Sequence, residues 1–194
     1  LDTLRLTGTE TLLDVCTGTA DVALAARARG AARVIGVDFS GAMLARGLSK
    51  VRASGEGESI ALLRGDAMQL PVADGSVDAA TVAFGIRNVD RREVACRELA
   101  RALRSGGRLA ILEFGAPRLP GLKHLYHWYF TNVLPRLGRL VSGHSAAYSY
   151  LPESVGAFPA PEVFAANLTD AGFEGVRAVP LTFGIVYLYV ATRR

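Results

Sequence analysis

The sequence predicts an α/β fold built on a mostly parallel sheet with helices on both faces. Short apolar runs of strand length alternate with stretches whose apolar residues recur at helical spacing. The strand-like runs read as buried, and the breaks between elements are short, which suits parallel strands joined by crossover helices. The chain has 194 residues, 50% of them hydrophobic, enough for one compact domain with its own core.

The elements follow in order. Leu12 to Cys16 reads as a first buried strand, broken by Thr17-Gly18-Thr19, with a helix over Asp21 to Arg29. Val34 to Asp38 is a second strand. Ser40 can cap the next helix, Gly41 to Ala53, where Leu44, Leu48 and Val51 recur at helical spacing. Ile60 to Leu63 is a third strand, ending at Arg64-Gly65-Asp66, and Val77 to Phe84 is a fourth. Asp90 with Glu93 resembles a capping box opening a helix over 91–103, which Ser105-Gly106-Gly107 would stop. Arg108 to Glu113 is a fifth strand. After Pro117 the pattern changes: 117–160 reads as an aromatic-rich, proline-punctuated insertion on the substrate side. A helix over Pro161 to Ala171 and strands over Val176 to Leu181 and Ile185 to Thr192 close the chain. There is no internal repeat and no low-complexity linker.

Composition narrows the function classes. A net charge of +4 without a basic stripe is no nucleic-acid signature. The two cysteines, Cys16 and Cys96, cannot build a disulfide framework, and a reduced, cytoplasmic setting is expected. No signal peptide and no apolar run near membrane-spanning length occurs in the sequence. His124 and His127 lie three apart without a further ligand, so no metal site is expected.

The chemistry-bearing residues fall at successive strand ends, where open α/β sheets bind ligands. After the first strand comes Asp14-Val15-Cys16-Thr17-Gly18-Thr19, in which Gly18 permits a tight turn close to a ligand. After the second comes Asp38-Phe39, whose carboxylate can accept both hydroxyls of a ribose. After the third comes Asp66-Ala67, able to read an adenine amino group while leaving room for the ring. A dinucleotide loop needs G-x-G-x-x-G, and Gly18 stands alone. The single-glycine loop followed by Asp38 and Asp66-Ala67 looks like class I methyltransferases, with S-adenosylmethionine as cofactor and a Rossmann-like fold.

Further segments sharpen the resemblance. Leu13 to Asp21, Phe84-Gly85-Ile86-Arg87-Asn88-Val89, Gly106 to Phe114, Val133-Leu134-Pro135, Tyr148 to Val155, Phe158-Pro159 and Leu181 to Ile185 together resemble the UbiE/MenG family of quinone-ring C-methyltransferases. The likeness runs from Leu12 onward. It implies a seven-stranded sheet whose last strand is antiparallel. It also implies cofactor contacts from Thr19, Asp38, Asp66, Ala67 and Ala83, the last a departure from the Ser often found there; Asp14, Thr17, Gly18 and Phe39 complete the candidate cofactor-binding set. The chain begins at Leu1, and the helical segment that family members carry ahead of the first strand is expected to be missing.

The implied reaction is methylation of a ring carbon of a prenylated hydroquinone, demethylmenaquinol to menaquinol. A ubiquinone-pathway benzoquinol, a soluble aromatic scaffold and a non-catalytic S-adenosylmethionine-binding assembly protein are the alternatives. Arg87 and Asn88, after the fourth strand, are the candidate catalytic pair. Arg87 could stabilise a phenolate or pair with a local carboxylate; Asn88 could orient a ring hydroxyl or cap its turn. Phe84, Tyr148 and Tyr150 are the candidate substrate-binding residues, although Tyr148 and Tyr150 could instead simply pack the insertion. Leu122, Leu125, Tyr129 and Val133 fall on one helical stripe, which could pack on the sheet or, with Trp128, Arg136 and Arg139 touching headgroups, meet a lipid surface. The expected partner is the prenylated quinol; the sequence also allows peripheral contact with the inner face of the cell membrane and a homodimer.

Overall fold

The computed structural model describes residues 1–115 and 154–194. The expected insertion falls largely outside the described residues, as do Trp128, Tyr148 and Tyr150. The elements are β1 (Thr11–Val15), α1 (Asp21–Ala28), β2 (Arg33–Asp38), α2 (Gly41–Ala53), β3 (Ile60–Arg64), β4 (Val77–Ala83), α3 (Arg92–Ala102), β5 (Leu103–Phe114), α4 (Pro161–Asp170), β6 (Phe173–Leu181) and β7 (Val186–Arg193). They form one seven-stranded sheet in the order β3-β2-β1-β4-β5-β7-β6. β7 runs antiparallel to both β5 and β6, while the pairings among β1 to β5 are parallel.

Side chains on a strand alternate between faces, so each buried strand feeds two cores. Leu12, Ala79 and Ala110 pack with Ala23 and Ala26 of α1 and Val51 of α2. Their neighbours Leu13, Ala80 and Ile111 pack on the other face with Leu99 of α3 and Phe164 and Leu168 of α4. The first core is rich in alanine, which lets its helices come close. A Cβ at Gly47 of α2 would meet Leu62 at 3.1 Å and the Thr19 backbone at 3.2 Å. The second core is filled by rings, with Phe164 edge-on to Tyr189 at 4.8 Å between centroids.

Several boundaries differ from the sequence reading; β6, for one, begins at Phe173 and not Val176. Ser40 does cap α2, accepting from the Met43 N–H at 3.3 Å. Asp90 and Glu93, however, form no capping box: α3 starts at Arg92, its N-cap is Arg91, and no side chain caps it. Asp90 therefore sits one position too early to reach the first turn. The helix ends at Ala102, before Ser105-Gly106-Gly107; those residues belong instead to an irregularity in β5, where the register jumps from Val77↔Leu103 to Ala79↔Arg108. The fourth strand stops at Ala83 because Phe84 turns into left-handed backbone, φ 56°.

Candidate active site

The strand order reverses between β1 and β4, so the loops leaving their carboxyl ends diverge and open a cleft. It has a volume of about 490 Å³ and is walled by Val15 and Cys16, Val37 to Phe39, Gly65 to Met68, and Gly85 with Asn88 to Asp90. That volume lies within the usual range of small-molecule sites.

The first loop is held from below. Asp14 is buried, accepting from the Thr17 hydroxyl at 2.5 Å and the Thr81 hydroxyl at 2.8 Å. Burial pushes its carboxyl up to about 6 against the pull of those two hydrogen bonds. Gly18 adopts φ 57°, and its N–H donates to Asp38 Oδ2 at 2.8 Å; the Ser40 N–H donates to Oδ1 at 2.8 Å. Each Asp38 oxygen keeps a second lone pair for a ligand. Thr19 turns outward: its hydroxyl donates to Asp21 at 2.6 Å and accepts from Lys50 at 3.0 Å. Asp66 Oδ1 accepts the Met68 N–H at 2.8 Å. Phe39 stands exposed at the mouth with the Arg64 guanidinium 5.9 Å from its ring centroid.

Of the residues singled out in the sequence, Asp38, Phe39, Asp66, Ala67 and Asn88 line the cleft together. Asp14 and Thr17 lie beneath it as the support of the loop, Gly18 ties that loop to Asp38, and Thr19 faces α2. Ala83 closes β4 opposite Leu112. Phe84 stacks on Phe114 at 4.6 Å, behind the wall. Arg87 also lies behind the wall: of its two readings, pairing with a local carboxylate is the one observed. Its Nη1 donates to Glu113 Oε1 at 2.8 Å and to the Phe84 carbonyl. Sequence reasoning missed Cys16, Met68, Val89 and Asp90 as wall residues, and Glu113 as the partner of Arg87. Glu113 had a signal, being the only acid within the apolar run Ile111-Leu112-Glu113-Phe114.

Among the described residues the wall carries three carboxylates, Asp38, Asp66 and Asp90, and no Lys, Arg or His. The Cys16 thiol between them is pushed up to about 12, by burial first and then by Asp38 and Asp14. A dinucleotide pyrophosphate would meet these carboxylates with no cationic side chain among the described wall residues to offset them. A nucleoside bearing a positive charge fits: one carboxylate for a ribose, one for an amino group, and apolar Val37, Phe39, Ala67 and Met68 for a ring.

This sheet order with its one antiparallel strand, and an acidic cleft at the strand reversal, are those of a class I S-adenosylmethionine-dependent methyltransferase. Solved structures agree on the fold. A SAM-dependent methyltransferase from Aquifex aeolicus matches with a TM-score of 0.68 at 20% identity, over 98% of this chain and 84% of that one. A phosphoethanolamine N-methyltransferase of Haemonchus contortus, bound to S-adenosylhomocysteine, matches with a TM-score of 0.75 at 15% identity, over 99% of this chain and 51% of that one. The model of the ubiE/COQ5 methyltransferase family matches residues 3–193, and the chain belongs to that family. Similar relatives include a ubiquinone/menaquinone biosynthesis C-methyltransferase of Geobacter sp. (strain M21), 45% identical over 98% of this chain and 81% of its own length. A demethylmenaquinone methyltransferase of Thermus thermophilus is 46% identical, over 94% and 82%. The protein is thus an S-adenosylmethionine-dependent methyltransferase.

Proposed function

We propose that this enzyme methylates a ring carbon of a prenylated hydroquinone in menaquinone or ubiquinone biosynthesis, with demethylmenaquinol as the preferred substrate. The observation that carries the reading is the family match over nearly the whole chain, residues 3–193. The cofactor supplies an electrophilic methyl group on a sulfonium. Asp38 would hold the ribose hydroxyls, and Asp66 the adenine amino group over Ala67, with Gly18 and Ala83 bounding the space beside them. The paired carboxylates also favour a cationic ligand over its neutral product, which assists release.

The ring carbon becomes nucleophilic when a neighbouring hydroxyl gives up its proton. Asn88, on the cleft wall beside Val89 and Asp90, is placed to orient that hydroxyl. Arg87, paired with Glu113 behind the wall, holds the turn that carries Asn88. Alignment of two reactants in one site can supply roughly 7–11 kcal/mol of a barrier. Phe84 backs the ring side of the turn, and Tyr148 and Tyr150 complete the substrate contacts in this reading, although both lie outside the described residues.

No helix among the described residues is long and apolar enough to cross a membrane. Access to a prenylated substrate is assigned to peripheral contact through Trp128 and Arg136, and the enzyme is read as a homodimer. Liposome sedimentation of a Trp128→Ala/Arg136→Ala variant tests the contact; unchanged sedimentation removes it.

The activity is tested with labelled S-adenosylmethionine and a chemically reduced, prenylated demethylnaphthoquinol, the product being located by mass spectrometry. Label on the ring carbon is the expected result. Cofactor binding without ring label on either a naphthoquinol or a benzoquinol overturns the substrate assignment.

A further inference from the structure

Glu113 is wholly buried near the end of β5, opposite Tyr187 of β7. Its Oε1 accepts from Arg87 Nη1 at 2.8 Å and from the Phe114 N–H at 2.8 Å. Its Oε2 accepts from the Arg87 backbone N–H at 3.2 Å. One carboxylate thus holds Arg87 twice, by side chain and by main chain. The Arg87 guanidinium lies 5.3 Å from the Phe114 ring centroid and is 11% exposed. Arg87 is the middle residue of the 3₁₀ turn Ile86–Asn88, which follows Phe84 in left-handed backbone and closes with the Asn88 N–H on the Gly85 carbonyl at 3.0 Å. The residue after Arg87 is Asn88, exposed on the cleft wall.

Stability alone does not account for this arrangement. Removing two charges from water costs several kcal/mol, and a buried ion pair is commonly replaceable by apolar residues of similar volume without loss. The pair is also incompletely satisfied: Arg87 Nε is buried with no hydrogen-bond partner among the described residues, a state natural proteins avoid unless something else is gained. What the pair does achieve is geometric. A bidentate grip from the neighbouring strand fixes both position and rotation of a turn only three residues long.

We infer that Glu113 is a positioning residue for methyl transfer, acting through Arg87 to set Asn88 on the cleft wall. The inference rests on the proposed role of Asn88 toward the quinol ring. A shift near 1 Å at a reacting centre can cost roughly 100-fold in rate. Cofactor binding should be untouched, because Asp38 and Asp66 sit at the ends of β2 and β3 on the other side of the cleft.

The test compares the parent enzyme with Glu113→Gln and Glu113→Asp. The Asn88 side-chain amide signals are assigned by their loss in Asn88→Ala. In Glu113→Gln these signals should shift, cofactor affinity should stay within about twofold, and kcat should fall about 10- to 100-fold with KM for the quinol little changed. Glu113→Asp keeps the charge and should recover part of kcat. If Glu113→Gln does not fold, Glu113→Asp carries the test alone, with an intermediate loss of kcat and shifted Asn88 signals. Unmoved Asn88 signals, or a folded variant with kcat within about twofold of the parent, overturn the proposal. The amide signals are read without turnover, so a parent that methylates no quinol defeats the substrate reading and leaves this measurement intact.

Discussion

The Gly18 N–H donates to the Asp38 carboxylate at 2.8 Å, joining the loop after β1 to the end of β2 across 20 residues of sequence. With the Ser40 N–H at 2.8 Å on the other oxygen, the carboxylate is fixed before any ligand arrives. Asp38→Ala removes both the ligand's acceptor and the tie on the loop. Hydrogen bonds to charged groups contribute about 1.5–3 kcal/mol each. Cofactor affinity by titration calorimetry should therefore fall at least about tenfold. A change under threefold would show that Asp38 does not carry the ribose contact.

Asp66 should show selectivity rather than bulk affinity. If its carboxylate reads the adenine amino group, the parent should prefer S-adenosylhomocysteine over the analogue bearing a ring oxygen in place of that amino group. Asp66→Asn keeps an acceptor for the Met68 N–H, now at 2.8 Å, while weakening the readout. The ratio of the two affinities should drop several-fold in the variant. An unchanged ratio would move base recognition elsewhere in the cleft.

Asp14 should make stability depend on pH. Its folded-state pKa, about 6, lies above the ordinary 3.8 because burial outweighs the Thr17 and Thr81 hydrogen bonds. The folded state therefore keeps a proton that the unfolded chain releases. This contribution is fully present below the unfolded pKa and is lost as pH rises through about 6. Its full size is on the order of 3 kcal/mol. Glu10, lowered to about 2, runs in the opposite sense, so the useful quantity is parent minus Asp14→Asn. Measured by thermal melts between pH 4 and pH 7, that difference should shift against the parent as pH rises. A flat difference would place Asp14 near its ordinary value.

Gly85 is demanded by Cys16. A Cβ at Gly85 would fall on Cys16 Cβ and Sγ, where the loops after β1 and β4 press together. Gly85→Ala should destabilise by about 1–3 kcal/mol or more, since backbone-anchored atoms cannot yield cheaply. Cys16 itself has φ 58°, a conformation in which glycine is unstrained. Cys16→Gly/Gly85→Ala should therefore regain most of the lost melting temperature, and failure to do so would mean the clash is relieved by other movements.

Much of this molecule can be read from the chain alone. Local pattern determined the strands and helices, because continuous apolar runs such as Val34 to Val37 have nowhere to lie but a buried sheet. It also determined that Asp38 and Asp66 share a site, because residues ending adjacent parallel strands are brought to one edge. The segments around Gly18, Arg87 and Asn88 marked the family. Tertiary structure alone decided which of those residues face the cleft. Asp14 and Thr17 lie under the loop and Thr19 faces α2, since side-chain direction at a strand end depends on the loop's dihedral angles and on neighbours distant in sequence. It decided that Arg87 meets Glu113, 26 residues away, because that contact exists only once β4 and β5 are paired. It also decided that Asp90 is a wall residue and not a helix cap: the start of α3 is set by its packing on the sheet, one residue beyond where local capping chemistry would have put it.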